Sequence, residues 1–111
     1  MNYRFYLRLK IDDHDWKEIG IDHTIKWDTR DLIYASSGWT IMNQESFGHA
    51  SDIVSMLRKG IVELSETPQS YTSFEVLHGF GTANKILTFY KDLLEDCNKY
   101  PYSELCGEIA D

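Results

Sequence analysis

The chain lacks the features of several protein classes. No apolar stretch approaches the roughly 20 residues that cross a bilayer, and the first ten residues alternate in polarity instead of forming the apolar core of a signal peptide. The two cysteines, Cys97 and Cys106, lack the paired spacing of a zinc site and are too few for a disulfide framework. We therefore expect a cytoplasmic protein with no membrane association, whose thiols act as small apolar side chains.

Basic residues are also scarce. The 11 lysines and arginines stand against 18 acidic residues, which gives a formal net charge of −7. Because phosphate binding needs a concentrated basic surface, we expect no nucleic-acid partner. The acidic residues are spread along the chain and include Asp12, Asp13, Asp15, Glu63, Glu66, Asp92, Glu95 and Asp96. Such a surface fits simple solubility, and equally docking onto a basic protein partner.

Catalytic motifs are missing as well. The chain contains no G-x-S-x-G, no H-E-x-x-H and no P-loop, and its four histidines form no recognisable constellation. Residues 12–15 read Asp-Asp-His-Asp, which are ordinary metal ligands, but four consecutive turn residues rarely converge on one ion. We predict no enzymatic activity, no metal and no cofactor.

What the chain does contain predicts one α+β domain over residues 1–111. Residues 3–11 alternate between apolar and polar, which is typical of a strand with one buried and one solvated face. Residues 103–109 alternate again. Pairing these two strands would bring Arg4, Arg8 and Lys10 of the first across from Glu104 and Glu108 of the second, so we expect the terminal strands to be neighbours.

Helical periodicity predicts the cover of this small, mainly antiparallel sheet. Long helices are expected at residues 47–65 and 82–98, with Gly60 marking either close packing or a local break in the first. A short helix that begins at Asp28 or Thr29 should end at Gly38. We expect these three helices to cover one face of the sheet.

Two segments do not have a clear pattern. Residues 16–21 fit either a short strand or a packed loop, and residues 69–76 fit a loop with a possible extended piece. The free edge of a small sheet also makes a homo-oligomer possible through strand pairing.

The sequence HGFGT at residues 78–82 predicts a tight corner before the last helix. Thr82 is a favourable N-cap residue, Gly79 or Gly81 should have positive φ, and Phe80 would hold the corner against the core. Thr67-Pro68 should end the preceding long helix.

The same corner is a candidate ligand site. Free N–H groups at a helix start attract anions, and nearby polar side chains would add to this attraction. The residues of this candidate site are His78, Gly79, Gly81, Thr82 and Lys85, with Trp39 or Tyr71 to stack on a base. The alternatives are a purely structural corner and a Trp39 that fills the core.

The segment HGFGTANKILTFYKDLLEDCNKYPYSEL, at residues 78–105, resembles a group of small uncharacterised bacterial and phage proteins. In that group a G-[WF]-G-T corner opens a helix with an acidic end, and a Tyr-Pro break precedes the last strand. Phe80 stands where the group more often has tryptophan. The resemblance implies a phage or mobile-element setting and no particular reaction.

Two functions are therefore expected. The first is a non-catalytic protein-binding module or inhibitor of phage or mobile-element type, which docks onto a basic partner through its acidic surface. The alternative is a binder of a small anion or nucleotide at the HGFGT corner.

Overall fold

A computed structural model describes residues 1–110 of the chain. The described elements follow one another as β1 (Asn2–Lys10), β2 (Trp16–Lys26), α1 (Arg30–Ser37), β3 (Ser46–His49), α2 (Val54–Glu66), α3 (Thr72–His78), α4 (Thr82–Lys99) and β4 (Glu104–Ile109). Single 3₁₀ turns lead into three of the helices, at Trp27–Thr29, Ala50–Ile53 and Pro68–Tyr71. The chain is therefore α+β, as predicted.

The four strands form one antiparallel sheet in the order β2-β1-β4-β3. Tyr3 pairs with Ile109 and Arg8 pairs with Glu104, so the predicted pairing of the terminal strands is confirmed. The sheet edges are β2 and the short β3. Oligomerisation through one of these edges stays a prediction.

Strand β2 resolves the first ambiguous segment. It follows a hairpin turn in which the Asp12 carboxylate accepts the backbone N–H groups of His14 and Asp15, both at 2.9 Å. These hydrogen bonds lower the pKa of Asp12. A bulge interrupts β2, because Phe5 pairs with His23 whereas Leu7 pairs with Ile19. Residues 16–26 thus form a long bent edge strand instead of a short one or a loop.

The inner face of the sheet carries the core. Tyr3, Phe5 and Leu7 of β1 are fully buried, and the Phe5 ring lies 5.1 Å from the Trp39 ring and 5.7 Å from the Phe89 ring. The helices that cover this face contribute Leu32, Ile33, Leu57, Leu64, Ile86, Tyr90 and Leu93. In the part of the chain that the structure describes, no helix is both long and apolar enough to cross a membrane.

Gly60 marks close packing and leaves the helix unbroken. A Cβ at this position would lie 2.4 Å from Cε2 of Tyr90, so only glycine lets α2 and α4 approach this closely. The Tyr90 hydroxyl lies 2.6 Å from the Ser36 hydroxyl and donates to the Ile33 carbonyl at 3.2 Å. This hydrogen bonding ties α4 to α1, and the second alternative for Gly60, a local break, is wrong.

Two predicted boundaries were wrong. Residues 47–49, expected at the start of a helix, belong to β3, because Ser46 pairs with Cys106 and Phe47 packs against the aromatic core. Residues 69–76, expected to be a loop, contain a 3₁₀ turn and most of α3. No residue of α3 is fully buried, so the helix has no apolar stripe that its sequence would reveal.

Both cysteines are free and buried. Burial raises the pKa of Cys97 to about 12 and that of Cys106 to about 11. The two thiols therefore remain protonated at neutral pH and serve as core side chains, as the sequence predicted.

Candidate functional site

The glycine corner at residues 78–82 has the predicted backbone and a different cap. Gly79 and Gly81 both have positive φ, at 102° and 86°. Gly81 occupies the N-cap position of α4, and Thr82 is the first helical residue. The Thr82 hydroxyl donates backwards to the Gly79 carbonyl at 2.7 Å, so the prediction that Thr82 caps the helix was wrong.

Glu75 of α3 provides the cap. Its two carboxylate oxygens accept the backbone N–H groups of Thr82 at 3.0 Å and of Ala83 at 2.8 Å. The sequence predicted that the first N–H groups of α4 are free to bind an external anion. They are instead paired with a carboxylate of the same chain. This cap could not be predicted from a local pattern, because Glu75 lies seven residues before the first residue of α4 and fits no local capping motif.

Phe80 points away from the protein. Its side chain is fully exposed, so the prediction that it holds the corner against the core was wrong. The two positive-φ glycines turn the backbone outwards, and a Cβ on either would meet no atom within 4 Å. Val76 and Leu77 are also largely exposed. We refer to Val76, Leu77 and Phe80 as the apolar corner.

Three predicted site residues share one pocket. His78, Thr82 and Lys85 line a cavity of about 270 Å³ between the end of β2 and the first turns of α4. Gly79 and Gly81 form the adjacent turn.

The two aromatic candidates do not line this pocket. Trp39 is only 4% exposed and stacks on the inner side of Phe89, with ring centroids 6.4 Å apart. Tyr71 is buried, and its hydroxyl donates to Glu63. The interpretation of Trp39 as a core residue is confirmed, and neither ring is placed to stack on a ligand of the pocket.

The outer face of the sheet is built around two arginines of β1. Arg4 of β1 forms ion pairs with Glu18 at 2.9 Å, Asp22 at 2.7 Å and Glu108 at 2.7 Å. Its guanidinium also lies 4.1 Å from the centre of the Tyr6 ring.

Arg8 repeats this arrangement four residues further along β1. It pairs with Glu104 at 3.0 Å and with Glu45 at 3.3 Å, and it stacks on Trp16 at 4.2 Å. The hydrogen bond from Arg8 lowers the pKa of Glu104. The predicted charge pairing between the terminal strands is therefore confirmed for Arg4 and Arg8, whereas Lys10 lies beyond the last pair of β1 with β4. The contributions from β2 and Glu45 were not predicted.

The arginines are covered and most of the carboxylates are not. Both arginine side chains are 18% exposed, whereas their partners Glu18, Asp22 and Glu108 are 53–58% exposed and Glu45 is 74% exposed. We define the open face as Arg4, Tyr6, Arg8 and Trp16 with the surrounding carboxylates Glu18, Asp22, Glu45, Glu104 and Glu108. This face therefore presents negative charge to the solvent over a centre of arginine–aromatic stacks.

A buried histidine–carboxylate pair fastens β2 to α4. Nε2 of His23 lies 2.6 Å from Oδ2 of Asp96, and the same oxygen accepts the backbone N–H of Ile21 at 3.1 Å. A Cβ on Gly20 would come within 2.6 Å of this oxygen, so glycine is required in the bulge. The His23 side chain is 2% exposed, which keeps it from reacting with a substrate and gives it a structural role.

The described residues were also compared for groups of possible metal ligands. Within residues 1–110 there is no group of three or more histidine, cysteine, aspartate or glutamate side chains that is placed to hold a metal ion. Asp12, the first residue of the Asp-Asp-His-Asp segment at 12–15, accepts backbone hydrogen bonds within its own turn. Comparison of the chain with protein-family models, with curated proteins and with solved structures found no significant match.

Proposed function

We propose that the chain is a non-catalytic protein-binding module that docks onto a basic partner through its open face. The observation that carries this proposal is the exposure difference on that face. Its carboxylates project into solvent, whereas the two arginines that neutralise part of their charge are largely covered.

The centre of the open face has the composition of a binding hot spot. Tyrosine, tryptophan and arginine are the residues enriched at such positions. Here Arg4 is already ordered on Tyr6 and Arg8 on Trp16. A partner that packs onto these stacks would therefore lose less side-chain entropy than one that must order them on binding.

The rim of the open face selects the charge of the partner. Five carboxylates surround two arginines, so a surface rich in lysine or arginine is complementary to it. Such complementarity mainly accelerates association and discriminates against acidic proteins. It is screened beyond a Debye length of about 8 Å at physiological ionic strength, so capture should weaken as salt is raised.

The resemblance of residues 78–105 to small bacterial and phage proteins suggests a setting for this activity. A stoichiometric inhibitor encoded by a phage or mobile element, acting on a basic host protein in the cytoplasm, fits a small acidic chain of this kind.

The test uses two double variants that change net charge by the same amount. Glu18→Gln/Glu108→Gln neutralises two carboxylates of the open face, and Asp92→Asn/Glu95→Gln neutralises two exposed carboxylates of α4. Each protein is immobilised, exposed to a lysate of the source cells at low salt, and washed. The retained proteins are then identified and quantified by mass spectrometry.

We expect a basic protein to be retained by the unmodified chain and by the α4 variant. Its recovery on the open-face variant should fall by about threefold or more, because rim charges mainly set the association rate. Equal losses on both variants would mean that only net charge matters. Undiminished recovery on the open-face variant would contradict the proposed surface.

A further inference from the structure

The pocket between β2 and α4 is separate from the open face, and its chemistry differs. We infer that this pocket binds a small organic anion that carries an apolar group. It has an apolar floor, a cationic rim and a size that suits a single ring or a short alkyl chain.

The floor of the pocket is formed by core residues. Ile25, Ile86 and Phe89 are 3–6% exposed and line it from β2 and from α4. Leu77 of the apolar corner lines it too and is largely exposed. The volume of about 270 Å³ lies just below the range of about 300–1,000 Å³ usual for ligand pockets. A ligand much larger than one ring with its anionic group would not be enclosed.

The rim of the pocket carries two lysines with no partner of opposite charge. Lys26, at the end of β2, and Lys85, in the first turns of α4, form no ion pair with any residue from 1 to 110. Their position contrasts with that of Arg4 and Arg8, whose charges are met by carboxylates. In a chain of net charge −7, this pocket is therefore a local place where an anion meets two cationic side chains.

Among the remaining polar groups, Asp28 also lines the pocket and carries one negative charge, so Lys26 and Lys85 leave the lining with a net positive charge. Nδ1 of His78 lies 3.6 Å from Oδ2 of Asp28, and the Asp28 side chain is 70% exposed. The hydroxyl groups of Thr29 and Thr82 already donate to backbone carbonyls, so their oxygens are available as acceptors only. The anionic group must then be recognised by Lys26, Lys85 and His78.

The start of α4 is not part of this recognition. Glu75 already pairs with the N–H groups of Thr82 and Ala83, and it does not line the pocket. The sequence predicted an anion site at the HGFGT turn, formed by helix N–H groups. The inferred site lies in the neighbouring pocket instead, and lysine side chains take the place of those N–H groups. The Phe89 ring in the pocket lining is only 6% exposed, so little of its face is open to a stacked base, which disfavours a nucleotide.

The test is a titration of the ¹⁵N-labelled full chain followed by two-dimensional NMR. The probes are benzoate, phenyl phosphate, inorganic phosphate and benzyl alcohol, which separate the carboxylate, the phosphate, the bare anion and the bare ring. Lys26→Gln/Lys85→Gln removes the cationic rim. Lys59→Gln/Lys91→Gln is the matched control, because both of these exposed lysines lie outside the pocket.

We expect benzoate or phenyl phosphate to shift the amide signals of Ile25, Thr82 and Ile86 in a saturable manner. The rim variant should bind that probe about tenfold more weakly, as expected for the loss of charge-assisted hydrogen bonds, and the control variant should bind it unchanged. Benzyl alcohol and inorganic phosphate should bind more weakly than the better aryl anion.

Four outcomes would overturn the inference. The first is that neither aryl anion gives a saturable shift at these residues. The second and third are that benzyl alcohol, or inorganic phosphate, binds as tightly as the better aryl anion. The fourth is that the rim variant and the control variant lose the same affinity. Since the variants of the open face leave Lys26 and Lys85 intact, failure here is separate from failure of the proposed protein binding.

Discussion

The two faces of strand β1 differ completely in environment although their residues alternate along one segment. Tyr3, Phe5 and Leu7 point inwards and are fully buried among aromatic and aliphatic side chains. Arg4 and Arg8 point outwards into a network of carboxylates. The period of two in a strand thus places core side chains on one face and the arginines of the open face on the other within six residues.

This separation has an energetic consequence. Removing a large buried side chain costs about 2–5 kcal/mol, whereas an exposed ion pair contributes about 0–1 kcal/mol. Substitutions on the open face should therefore alter binding with little effect on folding. Substitutions on the inner face should lower the free energy of unfolding and have little direct effect on binding.

The largest change in stability is expected at Phe5, which is compared with its neighbour Tyr6 on the opposite face of β1. Phe5→Ala should lower the free energy of unfolding by about 3–5 kcal/mol, because it leaves a cavity among Tyr3, Trp39 and Phe89. Tyr6→Ala, on the open face, should cost less than about 1.5 kcal/mol, since the ring is only partly buried and mainly stacks on Arg4. Urea denaturation measures both. Equal losses would show that the two faces do not divide these roles.

A single added methyl group tests how tightly the inner layer is packed. Gly60→Ala should destabilise the protein by about 1–3 kcal/mol, because the new Cβ meets the Tyr90 ring. Val62→Ala, on the exposed side of the same helix, should change stability by less than about 0.5 kcal/mol. If Gly60→Ala instead stabilised the chain, as alanine does in an exposed helix, the close approach of α2 to α4 would be wrong.

The cap of α4 predicts a smaller effect. Glu75→Ala should lower stability by about 1 kcal/mol, since it frees the N–H groups of Thr82 and Ala83 at a helix start. The control is Glu66→Ala, which removes the same charge at the C-terminal end of α2, where a carboxylate is unfavourable. Thermal unfolding of both variants distinguishes them. A loss for Glu66→Ala as large as that for Glu75→Ala would point to net charge instead of the cap.

The smallest effect concerns pH on the open face. Arg8 lowers the pKa of Glu104, so this pair stabilises the fold above the ordinary glutamate pKa and loses its contribution as pH falls through the lowered value. Arg8→Met should therefore cost about 0.5 kcal/mol at pH 7 and progressively less below about pH 4.5. Lys17→Met, at an exposed position with no ion pair among residues 1–110, should show no such trend. A constant difference between Arg8→Met and the unmodified chain from pH 7 to pH 3 would contradict this pairing.

The sequence predicted those elements whose pattern is local. Residues 3–11 alternate because one face of β1 is buried, and α4 has a full apolar stripe, so both could be recognised. The alternation at residues 103–109 located β4 correctly, although this strand buries three consecutive residues and leaves Ile109 exposed. Helix α3 buries none of its residues completely and was mistaken for a loop. The four-residue strand β3 is set by its pairing with β4, which lies more than 50 residues away.

The candidate sites were harder to predict, because they depend on residues distant in the chain. The carboxylates around Arg4 come from β2 and β4, and only the β4 partner was visible from alternation. Lys85 and His78 were predicted as site residues, whereas Lys26 reaches the same pocket from β2 and has no sequence signal. The exposure of Phe80 depends on the direction of the glycine turn, which composition does not specify.

We propose that the open face, and not the apolar corner, contacts the partner. The most direct measurement is hydroxyl-radical footprinting of the isolated chain and of its complex with the captured partner, read out by mass spectrometry. We predict that oxidation of Tyr6 and Trp16 falls in the complex while oxidation of Phe80 and Leu77 is unchanged. Protection of Phe80 and Leu77 with Tyr6 and Trp16 left as reactive as before would contradict the account and place the interface at the apolar corner.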